Sequence, residues 1–504
     1  MLELVMESSS YDIGAISNPA SISTLVQRLV YSNETLTSVY ESKQELSNII
    51  LKFTGLLYRE HEDTSVDHNF LRNFERHADW FEETTSRGIE QNRKGDASIT
   101  VVDGNGNAIE GVTVSVVQDS HEFRFGANIF MLDELETAEK NEIYKDVFKS
   151  TFNMATLPFY WNANEPTRGV TRYTKDSTPM YRRPPIDLCI EFCEANGIEP
   201  RLHGLAYAYF FPNWYKNLTD TAEQYDLLEN RMQQIAALYG DRINTIEVTN
   251  ETYRSGSTVE IYNDSDFVEW SFKTAGKYFT ENQLGINEGD HVWEVPTTKA
   301  RYYRQIRDTL AAGGRIDAVG MQYHILDSRH DRAWKSSDVF YNPINMWETM
   351  DLYASFGLPL QITEITIPAY SNDPADEQMQ ARLLEKVYTL WFAHPAVEQI
   401  IYWNVVDGYA NGATPGDMTS GENRYYGGLL RFDMSKKPAY DTLKKLLTET
   451  WHTEATLTSD KDGVAAFRGF FGKYTVEVEA GGVVTTHTLN LKKGADNHFT
   501  IEVD

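Results

Sequence analysis

Cysteine is scarce in this sequence. The chain has two cysteines, Cys189 and Cys193, which lie four residues apart in DLCIEFCEANG. That spacing is one turn of a helix, and a disulfide between such positions has poor geometry. A metal site with two thiolates needs further ligands, and the neighbouring sequence offers none. We therefore expect two buried free thiols.

Positive charge and long apolar runs are also scarce. The chain carries 46 Lys and Arg against 74 Asp and Glu, which gives a net charge of −28. An acidic chain repels phosphate backbones and anionic lipid, so nucleic acid and membrane surfaces are poor partners. No apolar run is long enough to cross a bilayer. These features favour a neutral substrate.

The first residues, MLELVMESSSYDIG, lack a basic segment followed by an apolar one. They therefore do not read as a secretory signal peptide. Two alternatives stay open: the protein is not secreted, or its signal peptide is not in this sequence. The compartment and the oligomeric state stay open as well.

The hydrophobic pattern changes along the chain and predicts four regions. Residues 1–94 show apolar spacing of three and four, which indicates packing helices. Residues 95–120 read as two short strands around a GNGN turn. Residues 121–450 alternate strand-like and helix-like segments, and 451–504 return to short strands punctuated by KDG and AGG.

The two strand-rich regions complement each other. VVDGNGNAIEGVTVSVV, near residue 110, and TSDKDGVAAFRGFFGKYTVEV, near residue 468, resemble the parts of carboxypeptidase-regulatory-like β-sandwiches. Two strands alone do not make a stable sheet, which favours completion of the first part by the second. We expect one small β-sandwich split around the central region, which braces it. The alternative is two separate accessory pieces.

The central region contains eight apolar strand candidates with helical segments between most of them. They are FRFGANIF, FNMATLPFYW, PRLHGLAYAY, NTIEVTNE, FTENQLGINE, IDAVGMQYHI, LPLQITEITI and EQIIYWNVV. Eight such repeats predict an α/β fold of the (β/α)8, or TIM, barrel type. Active sites in this fold lie at the carboxyl ends of the strands, and several candidates end there in polar or aromatic residues.

Two glutamates at these strand ends are candidates for acid–base chemistry. Glu251 follows Asn250 at the end of the fourth strand, and Glu364 lies inside the apolar seventh strand. A glutamate in such a strand is costly to bury unless a partner is present. Either residue alone could belong to a structural ion pair. Together they fit the two carboxylates that glycoside hydrolysis requires.

The order of several motifs completes a family resemblance over about residues 120–447. The motifs are FN at 152–153, EPTRG at 165–169, RLHGL at 201–205, VTNE at 248–251, IDAVGMQYHI at 316–325, ITEITI at 362–367, YW at 402–403 and GGLLRFDMSKKPAY at 427–440. In this order and spacing they resemble glycoside hydrolase family 10, the retaining xylanases. The resemblance implies a hydrolase that cleaves β-linked glycans by double displacement and needs no metal or organic cofactor.

The resemblance also implies roles for individual residues. Glu251 would be the acid/base and Glu364 the nucleophile. Among the other matched positions, Asn250 would bind the sugar 2-hydroxyl, His203 another hydroxyl in the −1 subsite, Gln322 would position the acid/base, His324 would contact the nucleophile, and Trp403 would stack on the sugar. Core packing is the alternative for His203, His324 and Trp403.

The chain departs from the family pattern on the second and third strands. The family usually carries T-x-E-N-x-M-K-W after the FN of the second strand. Here the stretch reads FNMATLPFYWNANEP, which is two residues shorter and has apolar and aromatic groups in place of the Glu, Asn and Lys that grip the sugar. Tyr207 and Ala208 replace a Trp and a His, and Thr366 replaces an Asp. Tyr160, Trp161, Tyr207 and Tyr209 are candidates for a new aromatic wall. We predict conserved chemistry with altered sugar recognition.

Two other function classes compete with the enzyme. A non-catalytic carbohydrate-binding protein on the same barrel would have no need for both glutamates together with Asn250, Gln322 and His324. A structural surface protein would leave the paired carboxylates unexplained. Each of these classes predicts binding or assembly without turnover of any β-glycoside.

Overall fold

A computed structural model describes residues 66–252, 259–294, 296–328 and 339–503. The chain divides into two units, the smaller comprising residues 1–73 with 327–342 and the larger comprising 74–326 with 343–504. In the smaller unit the rings of Phe70 and Tyr341 lie 4.7 Å apart. Every site residue discussed below belongs to the larger unit.

The central region forms a closed barrel of eight parallel strands, as the sequence predicts. The strands are β3 (Arg124–Asn128), β4 (Met154–Pro158), β5 (Glu199–His203), β6 (Thr245–Asn250), β7 (Gln283–Glu288), β8 (Ala318–His324), β9 (Leu360–Thr366) and β10 (Val397–Tyr402). Strand β10 pairs with β3 and closes the barrel. All seven residues of β9 are buried, because helices and side chains cover both faces of a parallel barrel sheet.

Helices connect the barrel strands. The longer ones are Ala138–Thr151, Ile186–Ala195, Thr221–Tyr239, Phe267–Tyr278, Arg301–Ala311, Pro343–Ala354, Pro374–Ala393 and Pro438–Lys445. Their starts follow local capping chemistry. Asp220 accepts hydrogen bonds from the N–H groups of Ala222 and Glu223, and Asp373 accepts one from Ala375 just before Pro374.

The strand-rich regions build two further sheets, and both mix strands from the two ends of the chain. The strands are β1 (Lys94–Val102), β2 (Thr113–His121), β11 (Glu454–Thr458), β12 (Val464–Phe470), β13 (Gly472–Ala480), β14 (Val483–Leu491) and β15 (His498–Glu502). Their orders are β12-β1-β15 and β11-β2-β13-β14. This pairing confirms that the small sandwich is split around the barrel.

A shared apolar core joins the two sheets of the sandwich. Ile99 and Val101 of β1, Val116 of β2 and Val476 of β13 are fully buried in it. Val116 lies directly opposite Val476 across the sheet. The first part of the chain supplies only β1 and β2, but each of them lies between two strands of the last part. Burial of these side chains therefore ties both ends together. The boundaries at 94, 120 and 450 remain a prediction.

The N-terminal helical prediction is met where the structure describes it. Helices span Val66–Arg76 and Ala78–Asn92, and residues 1–65 lie outside the described part. Gly88 lets the second helix approach closely, since a Cβ there would lie 2.5 Å from the carbonyl oxygen of Ala393. Arg93 then donates to the carbonyls of His394, at 2.5 Å, and Val397, at 2.7 Å. The predicted packing role of this region fits these contacts.

Cys189 and Cys193 are both free and buried on the helix Ile186–Ala195, as the sequence predicts. Burial raises the pKa of the Cys193 thiol to about 12. Both groups are therefore unreactive thiols at neutral pH. Among the described helices, none is long and apolar enough to cross a membrane.

Candidate active site

The two predicted glutamates lie at the carboxyl ends of their barrel strands. Asn250 is the last residue of β6, and Glu251 follows it with a left-handed backbone, φ +52°. The N–H of Glu251 donates to the carbonyl of Asn287 at 3.1 Å, which ties it to the end of β7. Glu364 lies in β9 and is 4% exposed. Barrel closure therefore brings together two residues that are far apart in sequence.

The side-chain amide of Gln322, on β8, connects the two carboxylates. Its Nε2 lies 3.0 Å from Oε1 of Glu364 and 3.4 Å from Oε1 of Glu251. The same nitrogen lies 3.1 Å from Oδ1 of Asn250. Two carboxylate oxygens that share one donor atom cannot be farther apart than the sum of their distances to it.

Glu364 is surrounded by hydrogen-bond donors. Besides Gln322, Asn287 Nδ2 donates to Oε1 at 3.0 Å and His324 Nε2 lies 3.2 Å from Oε2. On its other side the His324 ring meets the hydroxyl of Thr366, with Nδ1 and Oγ1 2.8 Å apart. Several donors offset the cost of burying a carboxylate away from water. The site can therefore hold a negative charge at Glu364.

Glu251 lies in a different environment. The hydroxyl of Tyr207 donates to Oε2 at 2.9 Å, and Gln322 is a longer contact to the other oxygen. The side chain is only partly buried, so water reaches it more easily than Glu364. Burial, followed by the charge of Glu251, raises the pKa of Tyr207 well above its ordinary value. Tyr207 is therefore a permanent donor at this position.

His203 belongs to a buried chain of charges under Glu364. Its Nδ1 lies 2.7 Å from Oε1 of Glu247, whose Oε2 accepts from Arg201 at 2.5 Å. The same Nδ1 lies 3.8 Å from Oε1 of Glu364. Burial by itself lowers the pKa of His203, but the negative charges of Glu247 and Glu364 outweigh it and the pKa is raised. Burial by itself raises the pKa of Glu247, but the positive charges of His203 and Arg201 outweigh burial, and the pKa of Glu247 is lowered.

Within the described part of the chain, His203, Glu247 and Glu364 form the one cluster of side chains whose spacing would allow a metal ion to bind. Ligand atoms of His203, Glu247 and Glu364 all lie within 4.8 Å of one another. Arg201 already supplies positive charge to Glu247 from inside the barrel. The donor set therefore fits a charge network of protein groups better than a cation site.

Tyr160 fills the position next to His203. Its hydroxyl lies 3.0 Å from Nε2 of His203, so both ring nitrogens of the histidine have protein partners. Tyr160 is 4% exposed and forms a cluster with Phe130 and Trp403. The ring of Trp403 also faces His203, with 5.3 Å between centroids. Aromatic side chains thus line this side of His203.

The predicted aromatic wall is only partly assembled. Tyr207 contacts Tyr160 and Tyr209 at 6.4 Å and 6.2 Å between centroids. Trp161 packs elsewhere: its ring lies against Phe211, Trp214 and Tyr215. Its indole N–H donates to Glu165 at 2.8 Å. Within the described residues, Trp161 makes no contact with the Glu251–Glu364 group.

The sequence analysis assigned no role to three residues of this network. Asn287 links Glu364 to Asn250, accepting from Thr363 at 2.6 Å as it donates to Asn250 at 3.0 Å. Its signal was its position at a strand end before a glutamate, as with Asn250. Glu247, a lone glutamate in the apolar strand TIEV, carried the same signal as Glu364. Arg201 had no local signal, because an arginine at the start of a motif is usually exposed.

Comparisons with known proteins agree with this architecture. Residues 119–446 match the model of glycosyl hydrolase family 10. The chain is 26% identical over 431 residues to the anti-sigma-I factor RsgI6 of Acetivibrio thermocellus, and 25% identical over 428 residues to endo-1,4-beta-xylanase 1 of Arabidopsis thaliana. These alignments cover 82% and 83% of this chain but only 49% and 39% of those relatives.

Solved structures share the fold. Native xylanase 10B from Thermotoga maritima matches with a TM-score of 0.53 and 22% identity, covering 65% of this chain and 96% of that one. Xylanase 10B from Thermotoga petrophila RKU-1, solved in complex with xylobiose, matches with a TM-score of 0.53 and 21% identity, covering 65% and 95%.

Proposed function

The chain belongs to glycosyl hydrolase family 10, and on that premise we propose that it cleaves xylan-type β-linked glycans by double displacement with retention of configuration. Glu364 is the nucleophile and Glu251 the acid/base. The observation that carries this proposal is the bridge that Gln322 makes between the two carboxylates.

The carboxylate separation supports retention. Retaining glycosidases hold their two carboxyl groups roughly 5–5.5 Å apart, whereas inverting ones leave roughly 6.5–9.5 Å for a water molecule. Glu251 and Glu364 each present an oxygen to the same Gln322 nitrogen, at 3.4 Å and 3.0 Å. The sum of these distances is an upper limit on the separation of the two oxygens, and it lies just below the inverting range.

The two environments fit a division of labour. Glu364 is buried among donors from Gln322, Asn287 and His324, which stabilise the anion that attacks the anomeric carbon. Glu251 is more exposed and protonates the leaving oxygen in the first step. In the second step it accepts a proton from water, which attacks the glycosyl ester at Glu364.

Neighbouring side chains hold the sugar. The Oδ1 atom of Asn250 is taken by Asn287 and Gln322, so its Nδ2 is the group that donates to the sugar 2-hydroxyl. Trp403 and Tyr207 provide ring surface around the −1 position. His203 reaches the sugar through the hydroxyl of Tyr160, because its own Nε2 is already engaged.

The configuration of the first product tests this proposal. ¹H NMR of an aryl β-xylobioside reaction should show the β-anomer first, followed by slow mutarotation. An α-anomer as the first product would contradict the assignment of Glu364 as nucleophile.

A carbohydrate-binding protein without turnover is the second candidate. It is favoured by the contact of Tyr160 with His203, which closes part of the site. It predicts oligosaccharide binding with no product from xylans, β-glucans or aryl β-glycosides. Product analysis on that panel separates the two candidates and reports the linkage and whether cleavage occurs within chains or at their ends.

A further inference from the structure

Two consecutive arginines lie against the aromatic cluster beside Tyr160. The guanidinium carbon of Arg183 lies 4.0 Å from the centre of the Tyr160 ring and 5.5 Å from that of Phe130. The guanidinium carbon of Arg182 lies 5.6 Å from the same Phe130 ring. Two positive groups therefore share one wall of the candidate active site.

Neither arginine has a carboxylate partner in the described part of the chain. Arg182 donates from Nη1 to Oδ1 of Asn404 at 2.8 Å and to the carbonyl of Tyr409, and its buried Nε has no hydrogen-bond partner. Arg183 donates from Nη1 to the carbonyl of Arg182 at 2.7 Å. Within the described residues this is the one hydrogen bond that the Arg183 side chain donates, and the side chain is partly exposed.

Two other arginines of this protein are compensated in different ways. Arg201 is paired with Glu247, and Arg93 donates to three main-chain carbonyls. Contact with aromatic faces compensates a cation only in part once water is removed. Burial, and to a smaller extent the charge of Arg182, lower the pKa of Arg183 to about 10 although Tyr160 opposes them, so Arg183 remains a cation at neutral pH. The pair is thus short of negative charge.

We propose that Arg183, with Arg182 behind it, forms an anion-binding subsite on the Tyr160 side of the cleft, and that it takes the carboxylate of a uronic acid carried by the β-linked glycan. This inference rests on the proposed function and names its substrate class. A planar guanidinium offers two parallel N–H groups to a carboxylate. Contact with the Tyr160 ring restricts the movement of the Arg183 guanidinium.

The subsite also accounts for the departure from the family's second strand. The Glu, Asn and Lys of the family pattern would bind neutral hydroxyl groups of the sugar. In this chain Tyr160 and Arg183 would bind a carboxylate instead. The net charge of −28 repels polyanions at long range. One carboxylate on an otherwise neutral sugar chain is attracted by the local pair instead.

Binding of two matched oligosaccharides tests the proposal. One is a β-1,4-xylooligosaccharide bearing a single glucuronic acid, and the other is the same molecule with its carboxyl reduced to hydroxymethyl. We would measure both dissociation constants by isothermal titration calorimetry in the Glu364→Gln background, which prevents turnover. We expect the acid to bind roughly tenfold more tightly or better.

Arginine variants locate the preference. In Arg183→Gln the two dissociation constants should become equal. Arg168→Gln is the matched control, because Arg168 is on the same connection, is 52% exposed and pairs with Glu223. It should keep the full preference. Loss of the preference in Arg168→Gln as well would overturn the subsite in favour of a general charge effect.

Failure of this proposal is distinguishable from failure of the proposed function. Equal affinity for both oligosaccharides in the Glu364→Gln background overturns the subsite, whether or not the arginine variants fold, and leaves the hydrolase standing. Tight, selective binding of the acid by a wild-type protein that turns over no β-glycoside supports the subsite and overturns the hydrolase.

Discussion

The hydroxyl of Tyr160 lies 3.0 Å from Nε2 of His203. The histidine is thereby held on both sides, since Nδ1 lies 2.7 Å from Glu247. The sequence marks His203 as a hydroxyl-binding residue and Tyr160 as part of a wall. Their contact joins the two residues in one hydrogen-bonded unit, in which both nitrogens of the imidazole have protein partners.

This unit makes stability depend on pH. The pKa of His203 is raised above its ordinary 6.5, with burial opposed and outweighed by Glu247 and Glu364. Folding therefore favours the protonated ring, and that contribution is complete below pH 6.5 and is lost as the pH rises through the raised pKa. We expect His203→Gln to lower the free energy of unfolding more at about pH 6 than at about pH 9.

Urea denaturation at a series of pH values measures this difference. Tyr388→Phe is a suitable control, because Tyr388 is buried and its ionisation is suppressed by burial across this range. A constant difference between wild type and His203→Gln at all pH values would contradict the charge network.

Removal of the proposed nucleophile should abolish glycosidase turnover. Glu364→Gly removes the group that attacks the anomeric carbon, so kcat should fall roughly 10⁴-fold or more. Azide can occupy the vacated space and attack from the same face, which should restore turnover of an activated aryl β-glycoside and yield an α-glycosyl azide. Glu348→Gly, at an exposed helix position, controls for general effects. A β-glycosyl azide product would instead identify Glu251 as the nucleophile.

Tyr207 should tune the acid/base step. Its hydroxyl donates to Oε2 of Glu251 at 2.9 Å, and a donor to a carboxylate favours the ionised form. Tyr207→Phe should therefore move the alkaline limb of the kcat/KM profile to higher pH and lower its maximum by roughly tenfold. Tyr209→Phe is the control, since Tyr209 is 70% exposed. An unshifted alkaline limb in Tyr207→Phe would show that the contact does not act on the proton.

The split sandwich should contribute to the stability of the whole chain. Val116 is fully buried opposite Val476, whereas its neighbour Val117 is 38% exposed on the other face of β2. Val116→Ala should cost about 2 kcal/mol through lost burial and the cavity left behind. Val117→Ala should cost less than about 0.5 kcal/mol. Denaturant unfolding of the two variants measures both, and equal losses would contradict the packing described.

Much of the barrel could be predicted from the sequence because the patterns that indicate its strands and helices are local. Eight apolar segments with helices between them specify the strands, and burial of both strand faces gives each segment its composition. Glu251 and Glu364 were legible for the same reason, since each interrupts or ends an apolar run. The two end regions could be predicted to be partners because the two strands of the first region do not make a stable sheet alone.

The contacts between site residues depended on the tertiary structure. Glu247 lies 44 positions from His203 in the sequence. Strand register and the path of the loop after β4 decide which of these two residues contacts Tyr160. Trp161 follows Tyr160 directly, yet it turns toward a different aromatic cluster. Neighbours in sequence can face opposite ways at a strand end, and no local pattern decides the direction.

The sequence by itself determined the fold class and predicted the two carboxylates as candidate site residues, because periodicity and the cost of burying charge act on short segments. Only the tertiary structure decided which side chains contact each other around Glu251 and Glu364. These contacts are the bridge from Gln322, the buried Arg201–Glu247–His203 chain, and the packing of Arg182 and Arg183 against the aromatic cluster of Tyr160. These depend on distances between side chains from different strands and loops, which are fixed when the barrel closes and the loops pack above it.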